Sequence, residues 1–310
     1  MSKTHTDHSV RFQFAFLHPR YWLRWLAFGL IAALNLLPES LIDRLAASIG
    51  RLCYRHYEKH RRQASLNISW CFPDMANDAH ESLLLAHFVA YWQTLLRIPV
   101  LWLGDQDRYL QRVRFENSDI LDYALANGPV IVLACHSCAL DFGAAAIAQR
   151  YGAVSMYQPF KNPLDNWMIY RARSRFNNAL VPRGTSMRAL VKKTRAGVPC
   201  YHMPDEDLGA DNAVFAPFFG QSKATLLGMG KLTSATRAQV VPCYPYYAGN
   251  GQFVLQFLPA LEDFPAADEH ENSARINLAI EELINIAPAH YLWKLRIFKT
   301  REDGGPSPYD

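Results

Sequence analysis

Short unbroken apolar runs and longer stripes of helical spacing take turns through the middle of this chain. Pro129-Val-Ile-Val-Leu-Ala-Cys135 is the clearest run; its length and β-branched content predict a buried strand. The alanine-rich stretch Phe142 to Ala148 predicts a helix soon after it. Further strands are expected at Ala153 to Tyr157, Val198 to Met203, Gln239 to Tyr247 and Phe253 to Leu258. Helices are expected at Leu164 to Phe176, Ser186 to Arg195 and Lys223 to Thr236. A last helix, Ser273 to Ala287, lines up Ile276, Ile280, Leu283, Ile284 and Ala287 on one stripe, and Pro288 stops it. Strands separated by helices predict an α/β fold whose mainly parallel sheet is covered by helices on both faces.

The region before residue 105 lacks this alternation and reads as a helical cap. Its first apolar stretch, Tyr21 to Leu37, is broken only by Arg24 and Asn35, and its 17 residues lie at the short limit for a membrane span. Pro38 and Glu39 follow in place of a small-residue cleavage site, so it is not a removable signal. His18, Arg20, Tyr21, Trp22, Arg24 and Trp25 give it the aromatic and cationic collar favoured at a membrane surface. Both flanks carry an excess of Lys and Arg, so charge sets no orientation, and a helix lying in one leaflet fits as well as a short span. A buried core helix is the alternative. The chain thus divides into an anchor segment, residues 1–38, and a domain, 39–310, that includes the cap to about residue 105. The basic stretch Arg51 to Arg62 suits either a solvated helix face or anionic lipid headgroups.

Composition narrows the class. At 310 residues the chain can bury a full core, and 50% hydrophobic against 19% charged residues, with 7 Trp and 15 Tyr, suits contact with a membrane. A net charge of +4 and the lack of any nucleic-acid motif argue against a nucleic-acid binder. The 6 cysteines follow no disulfide spacing, which points to a reducing compartment. Cys135 and Cys138 have no second pair at zinc-site spacing.

The chemistry concentrates at the end of the first strong strand, where His136 precedes Asp141 near a helix start. Side chains five apart on one helix point to different faces, so only a strand-to-helix turn brings this pair together. Asp141 is then expected to hold one imidazole nitrogen while the other faces substrate, the geometry of a general base. Asp141 can equally cap the helix. Met203-Pro-Asp-Glu-Asp207 also follows a strand, and a parallel sheet puts it on the same rim as His136. Asp205 and Asp207 suit either the orientation of a hydroxyl or of a cation such as Arg183, or a tight turn. A metal-dependent hydrolase that ligates through His136, Asp141, Asp205 and Asp207 is a rival from another class.

His136-x-x-x-x-Asp141 after an apolar strand resembles the glycerolipid acyltransferase superfamily. Other blocks resemble one branch of it, the late acyltransferases of lipid A biosynthesis: His18 to Trp22, Asn67 to Pro73, Tyr157 to Pro163, Met203 to Asp207 with Gly209, Phe215 to Gly220, Val240 to Pro245 and Phe298 to Arg301. Two positions depart from that branch: Gln158 stands where it has an arginine, and Glu206 where it has Gln or His.

The resemblance implies transfer of a fatty acyl group from acyl carrier protein to a hydroxyl of a hydroxyacyl chain on a lipid A precursor. It implies His136 and Asp141 as catalytic residues and Lys161, Asn162, Arg183, Asp205 and Asp207 as substrate-binding ones. It implies no cofactor or metal, and since a thioester already carries a good leaving group, no covalent intermediate is needed. Membrane lipids join donor and acceptor as partners, nucleic acid does not, and the place of action is the cytoplasmic side of the bacterial inner membrane. A glycerolipid acceptor is the near alternative, although the Phe-Pro-Glu-Gly-Thr block of that branch is replaced here by Met203 to Asp207. The acidic carrier protein should dock on Lys192, Lys193 and Arg195 together with Lys294, Arg296, Lys299 and Arg301.

Overall fold

A computed structural model describes residues 10–183 and 187–310. Six helices open the chain: α1 (Trp22–Leu34), α2 (Glu39–His56), α3 (Glu58–Cys71), α4 (Asn77–Leu95), α5 (Ile98–Leu103) and α6 (Gln106–Leu110). Strands and helices then alternate as β1 (Val113–Glu116), α7 (Ser118–Asn127), β2 (Val130–Leu133), α8 (Leu140–Tyr151), β3 (Ala153–Tyr157), α9 (Pro163–Ser174), β4 (Asn178–Pro182), α10 (Arg188–Arg195) and β5 (Cys200–His202). The remainder is β6 (Ala213–Phe218), β7 (Gln221–Leu226), α11 (Met229–Thr236), β8 (Gln239–Gly249), β9 (Gln252–Phe257) and α12 (Glu269–Ile286).

Seven strands form one sheet in the order β1-β9-β8-β2-β5-β3-β4, and β6 pairs with β7 in a separate antiparallel ribbon. Every pairing in the large sheet is parallel except β8 with β9. Those two are joined by Gly249, Asn250 and Gly251, all at positive φ, a turn too short for a helical crossover. β2, buried along its length, sits at the centre. Its side chains alternate between two cores: Ile131 and Leu133 pack with α3, α4 and α12, while Val130 and Val132 pack with α7 and α8. The mainly parallel α/β sheet expected from the sequence is therefore the fold, with one antiparallel pair.

Two details differ from expectation. Lys223 to Leu226 is strand, not helix, because the turn at Phe219 and Gly220, both at positive φ, pairs it with β6; the helix begins only after Gly228. The short strands β1 and β4 were not expected. Ser186, the first residue of an expected helix, lies outside the described residues.

The apolar N-terminal stretch forms α1, whose 13 residues extend about 20 Å, less than a hydrocarbon core of roughly 30 Å. One side of it packs on the protein, with Trp25 beside Trp167 and Phe28 stacked on Trp102 at 4.7 Å. The opposite side leaves Leu23, Leu26 and Leu30 exposed at 76%, 59% and 60%. Asn77–Leu103 is the one described helical stretch long and apolar enough to cross a membrane, and much of it is buried against α2 and the sheet.

Candidate active site

Strand register brings the reacting groups together. β2 and β5 run parallel with Leu133 opposite His202, and the next step is bridged by the Ala134 N–H donating to the His202 carbonyl at 2.9 Å. His136 and Asp205 each lie three residues beyond that registered pair. They meet across the carboxyl end of the sheet, the rim on which open α/β sheets bind ligands.

Asp205 is fully buried and holds His136 twice. Its Oδ1 accepts from the ring Nδ1 at 2.7 Å, and its Oδ2 accepts from the His136 backbone N–H at 2.9 Å. The Tyr291 hydroxyl donates to the same Oδ2 at 3.1 Å. An ionised carboxylate on Nδ1 selects the neutral tautomer with its proton there, which leaves Nε2 a free acceptor. Burial pushes the His136 imidazolium down, but the charge and hydrogen bond of Asp205 outweigh it, so its pKa rises above 6.5; Glu206 adds to the rise and Arg183 opposes it. Burial pushes the Asp205 carboxyl up, yet His136 and more distantly Lys223 bring it below 3.8.

The carboxylate on the imidazole is therefore Asp205 and not Asp141, which corrects the expected pairing. Asp141 lies in the first turn of α8 and is bonded by Arg173 Nε of α9 at 2.7 Å. Those two neighbouring helices face each other closely enough to satisfy Asp141 away from the ring.

The other predicted residues separate into two groups. Arg183 lines the cleft in front of His136, where its Nη2 meets Glu206 at 3.1 Å. Gln158 lines the same cleft. Asn162 instead caps α9, its side chain accepting from the Leu164 and Asp165 N–H groups at 3.0 and 3.3 Å. Lys161 is exposed in the turn before that cap. Asp207 accepts from the Thr300 N–H at 2.6 Å, the Thr300 hydroxyl at 2.7 Å and the Gly209 N–H at 3.0 Å, so it anchors the C-terminal segment. His136, Asp141, Asp205 and Asp207 do not converge, and among the described residues no three His, Cys, Asp or Glu side chains are placed to hold a metal.

That C-terminal segment was the part least legible beforehand. Tyr291, Trp293, Ile297 and Phe298 are core residues, and the segment bonds both sides of the turn after β2: the Cys138 N–H donates to the His290 carbonyl at 2.6 Å and the Leu292 N–H to the His136 carbonyl at 2.8 Å. Asn67 of α3 fastens it from behind, donating to the Trp293 and Leu295 carbonyls at 2.6 and 2.7 Å. Of the expected carrier-docking cations, Arg296 pairs with Asp310, Lys299 bonds the Asp207 carbonyl and Arg301 pairs with Asp303. Lys294 sits 3.7 Å from the centre of the Tyr91 ring. Lys192 and Lys193 remain exposed on α10.

Three cavities meet at this rim. The cleft at His136, about 280 Å³, shares Phe160 and Arg173 with an apolar cavity of about 470 Å³ between α4, α5, α8 and α9. On its other side it shares Met156, His202 and Leu226 with a second cavity of about 410 Å³ against α10 and α11. A base, a polar cleft and two flanking apolar chambers can bind a molecule with long hydrocarbon chains and activate a hydroxyl on it.

Comparison with known proteins places this arrangement. Residues 9–300 match the family model described as bacterial lipid A biosynthesis acyltransferase. The chain is similar to the lipid A biosynthesis myristoyltransferase of Escherichia coli (strain K12), 30% identical over 99% of this chain and 96% of that protein. It is 28% identical to the lauroyltransferase of the same organism, over 96% of this chain and 98% of that one. With the palmitoleoyltransferase of that organism it shares 30% identity over the same proportions. Among solved structures, the 1-acyl-sn-glycerophosphate acyltransferase PlsC from Thermotoga maritima aligns at a TM-score of 0.38 and 13% identity, covering 81% of this chain and 99% of that one, an overlay too loose to argue from.

Proposed function

The chain belongs to the bacterial lipid A biosynthesis acyltransferases, and from that premise we propose that it moves a fatty acyl group from acyl carrier protein to a hydroxyl of a hydroxyacyl chain on a lipid A precursor. The observation that carries this reading is the buried His136–Asp205 pair, which presents Nε2 to a cleft flanked by apolar chambers.

The acceptor hydroxyl gives its proton to His136 Nε2 as its oxygen attacks the thioester carbonyl. Asp205 stabilises the imidazolium that forms. Arg173, its Nε held by Asp141, lines both the cleft and the larger chamber, so its remaining N–H groups face the carbonyl oxygen as that oxygen becomes negative. Collapse of the tetrahedral intermediate breaks the carbon–sulfur bond, and the imidazolium returns its proton to the departing thiolate. The donor chain occupies the larger chamber and the acceptor's chain the second. Arg183, steadied by Glu206, meets a phosphate of the acceptor.

Relatives of similar identity are named for three different acyl groups, so chain length is a property to be measured. The acyl-bearing face works against a membrane, with residues 1–38 as the contact segment and the sheet domain on the cytoplasmic side of the inner membrane. The test is transfer by purified enzyme from acyl carrier protein to a lipid A precursor, followed by mass spectrometry. His136→Ala should lose about 100- to 10,000-fold in rate. A folded His136→Ala protein with near-normal transfer would refute the mechanism.

A further inference from the structure

Lys223 is the buried group that this chemistry leaves unused. It sits on β7 opposite Ala216, is 0% exposed, and its Nζ has no hydrogen-bond partner. Its Nζ lies 5.5 Å from the centroid of the Phe218 ring on the same ribbon. A buried, unpaired ammonium is costly unless something nearby requires its charge. Its charge acts on the buried Asp205 and Asp207 of the segment after β5 and on the Cys71 thiol of α3, which also feels Glu281 of α12, and Lys299 donates to the Asp207 carbonyl at 3.3 Å. Facing His136 are Asp205, Glu206 and Arg183, and Tyr291 and Thr300 add only neutral hydroxyls to the two aspartates.

We propose that Lys223 is a positioning residue for proton transfer: its ammonium is the fixed counter-charge that keeps Asp205 ionised while His136 stays neutral and ready to accept a proton. The charge count carries the idea. With His136 neutral, two carboxylates are buried; Lys299 reaches only the backbone carbonyl of Asp207, and Lys223 is the buried cation whose charge acts on both. Removing it strips that counter-charge from Asp205, and the His136 imidazole is the neighbour able to take up a proton at neutral pH in its place, His202 being held neutral by burial. Burial pushes the ammonium down from its ordinary range and the two aspartates oppose that push, in keeping with a cation held by charge and not by hydrogen bonds.

The proposal rests on His136 as the base, and pH profiles of transfer test the two ideas separately. In Lys223→Met, an apolar chain of similar length, the acid limb of kcat/KM should move up by about one pH unit, a tenfold loss below the limb that disappears above it. Asp207→Asn removes one of the negative charges, so its limb should move down, and the double variant should return toward the parent. A purely structural role would lower the rate alike at every pH, and in the double variant the losses would add. A folded Lys223→Met enzyme with its limb in place would overturn the proposal; should that variant fail to fold, an unmoved limb in Asp207→Asn would do so. A parent enzyme with no acid limb would overturn the base itself.

Discussion

At the scale of residues, one imidazole with two candidate carboxylates decides the chemistry. Asp205 lifts the His136 pKa above 6.5, and a base acts only when unprotonated, so kcat/KM of the parent should fall as pH drops through a value above 6.5. Asp205→Asn removes that lift and allows the wrong tautomer. Its rate should fall about 100- to 10,000-fold, as for loss of the base, and the limb of what remains should move to lower pH. Asp141→Asn instead loosens Arg173: a smaller loss with an unmoved limb is expected. Rate profiles of the two variants in parallel distinguish these roles, and an unshifted limb in Asp205→Asn would count against the pairing. The spacing of His136 and Asp141 was legible in the sequence, but the true partner comes from 69 residues away, and no local spacing encodes it.

At the scale of elements, α8 approaches β8 closely at Gly143, which has no side chain, while Phe142 stacks on Phe253 of β9 at 4.0 Å. Gly143 is helical, yet a Cβ there would lie 2.6 Å from Pro245 on β8, whose ring cannot yield easily. Gly143→Ala should therefore cost about 1 to 3 kcal/mol, visible as a lower Tm. Unchanged melting would mean that α8 shifts freely. Ala144 and Ala145 of the same helix line the larger chamber. Ala145→Phe should shorten the preferred donor chain without abolishing transfer, measured as product chain length from mixed donors. The run Phe142 to Ala148 marked this helix plainly, whereas β7 read as helix because its hydrogen-bond partner, β6, is invisible to a local pattern.

At the scale of the whole molecule, α1 is apolar apart from Arg24, which in a surface helix means one face against protein and another against something apolar. Replacing Leu23, Leu26 and Leu30 by Gln should reduce sedimentation with anionic vesicles while leaving Tm unchanged. Deleting residues 1–38 should also lower Tm, because it uncovers Trp102 and Trp167. Retained vesicle binding by the triple variant would locate the contact elsewhere. Buried His87 and half-buried His202 and His290 are held neutral, desolvation lowering their pKa to about 3, 4 and 4. The unfolded chain takes up these protons below about 6.5, so Tm should decline as pH falls from 6.5 toward 4, with His136 and the Glu281 carboxyl, both raised in the fold, opposing. The sequence by itself determined the α/β class, the strands β2, β3, β5, β8 and β9 and the apolar N-terminal helix, and it singled out His136 as the candidate base, since periodicity and strand-end chemistry are local. Tertiary structure decided that Asp205 is the partner of His136, that Asp207 and Asn162 fasten the frame, that the C-terminal aromatics are core, and where the chambers lie. Those follow from strand register and helix packing, which join residues far apart in the chain and leave no mark on either segment alone.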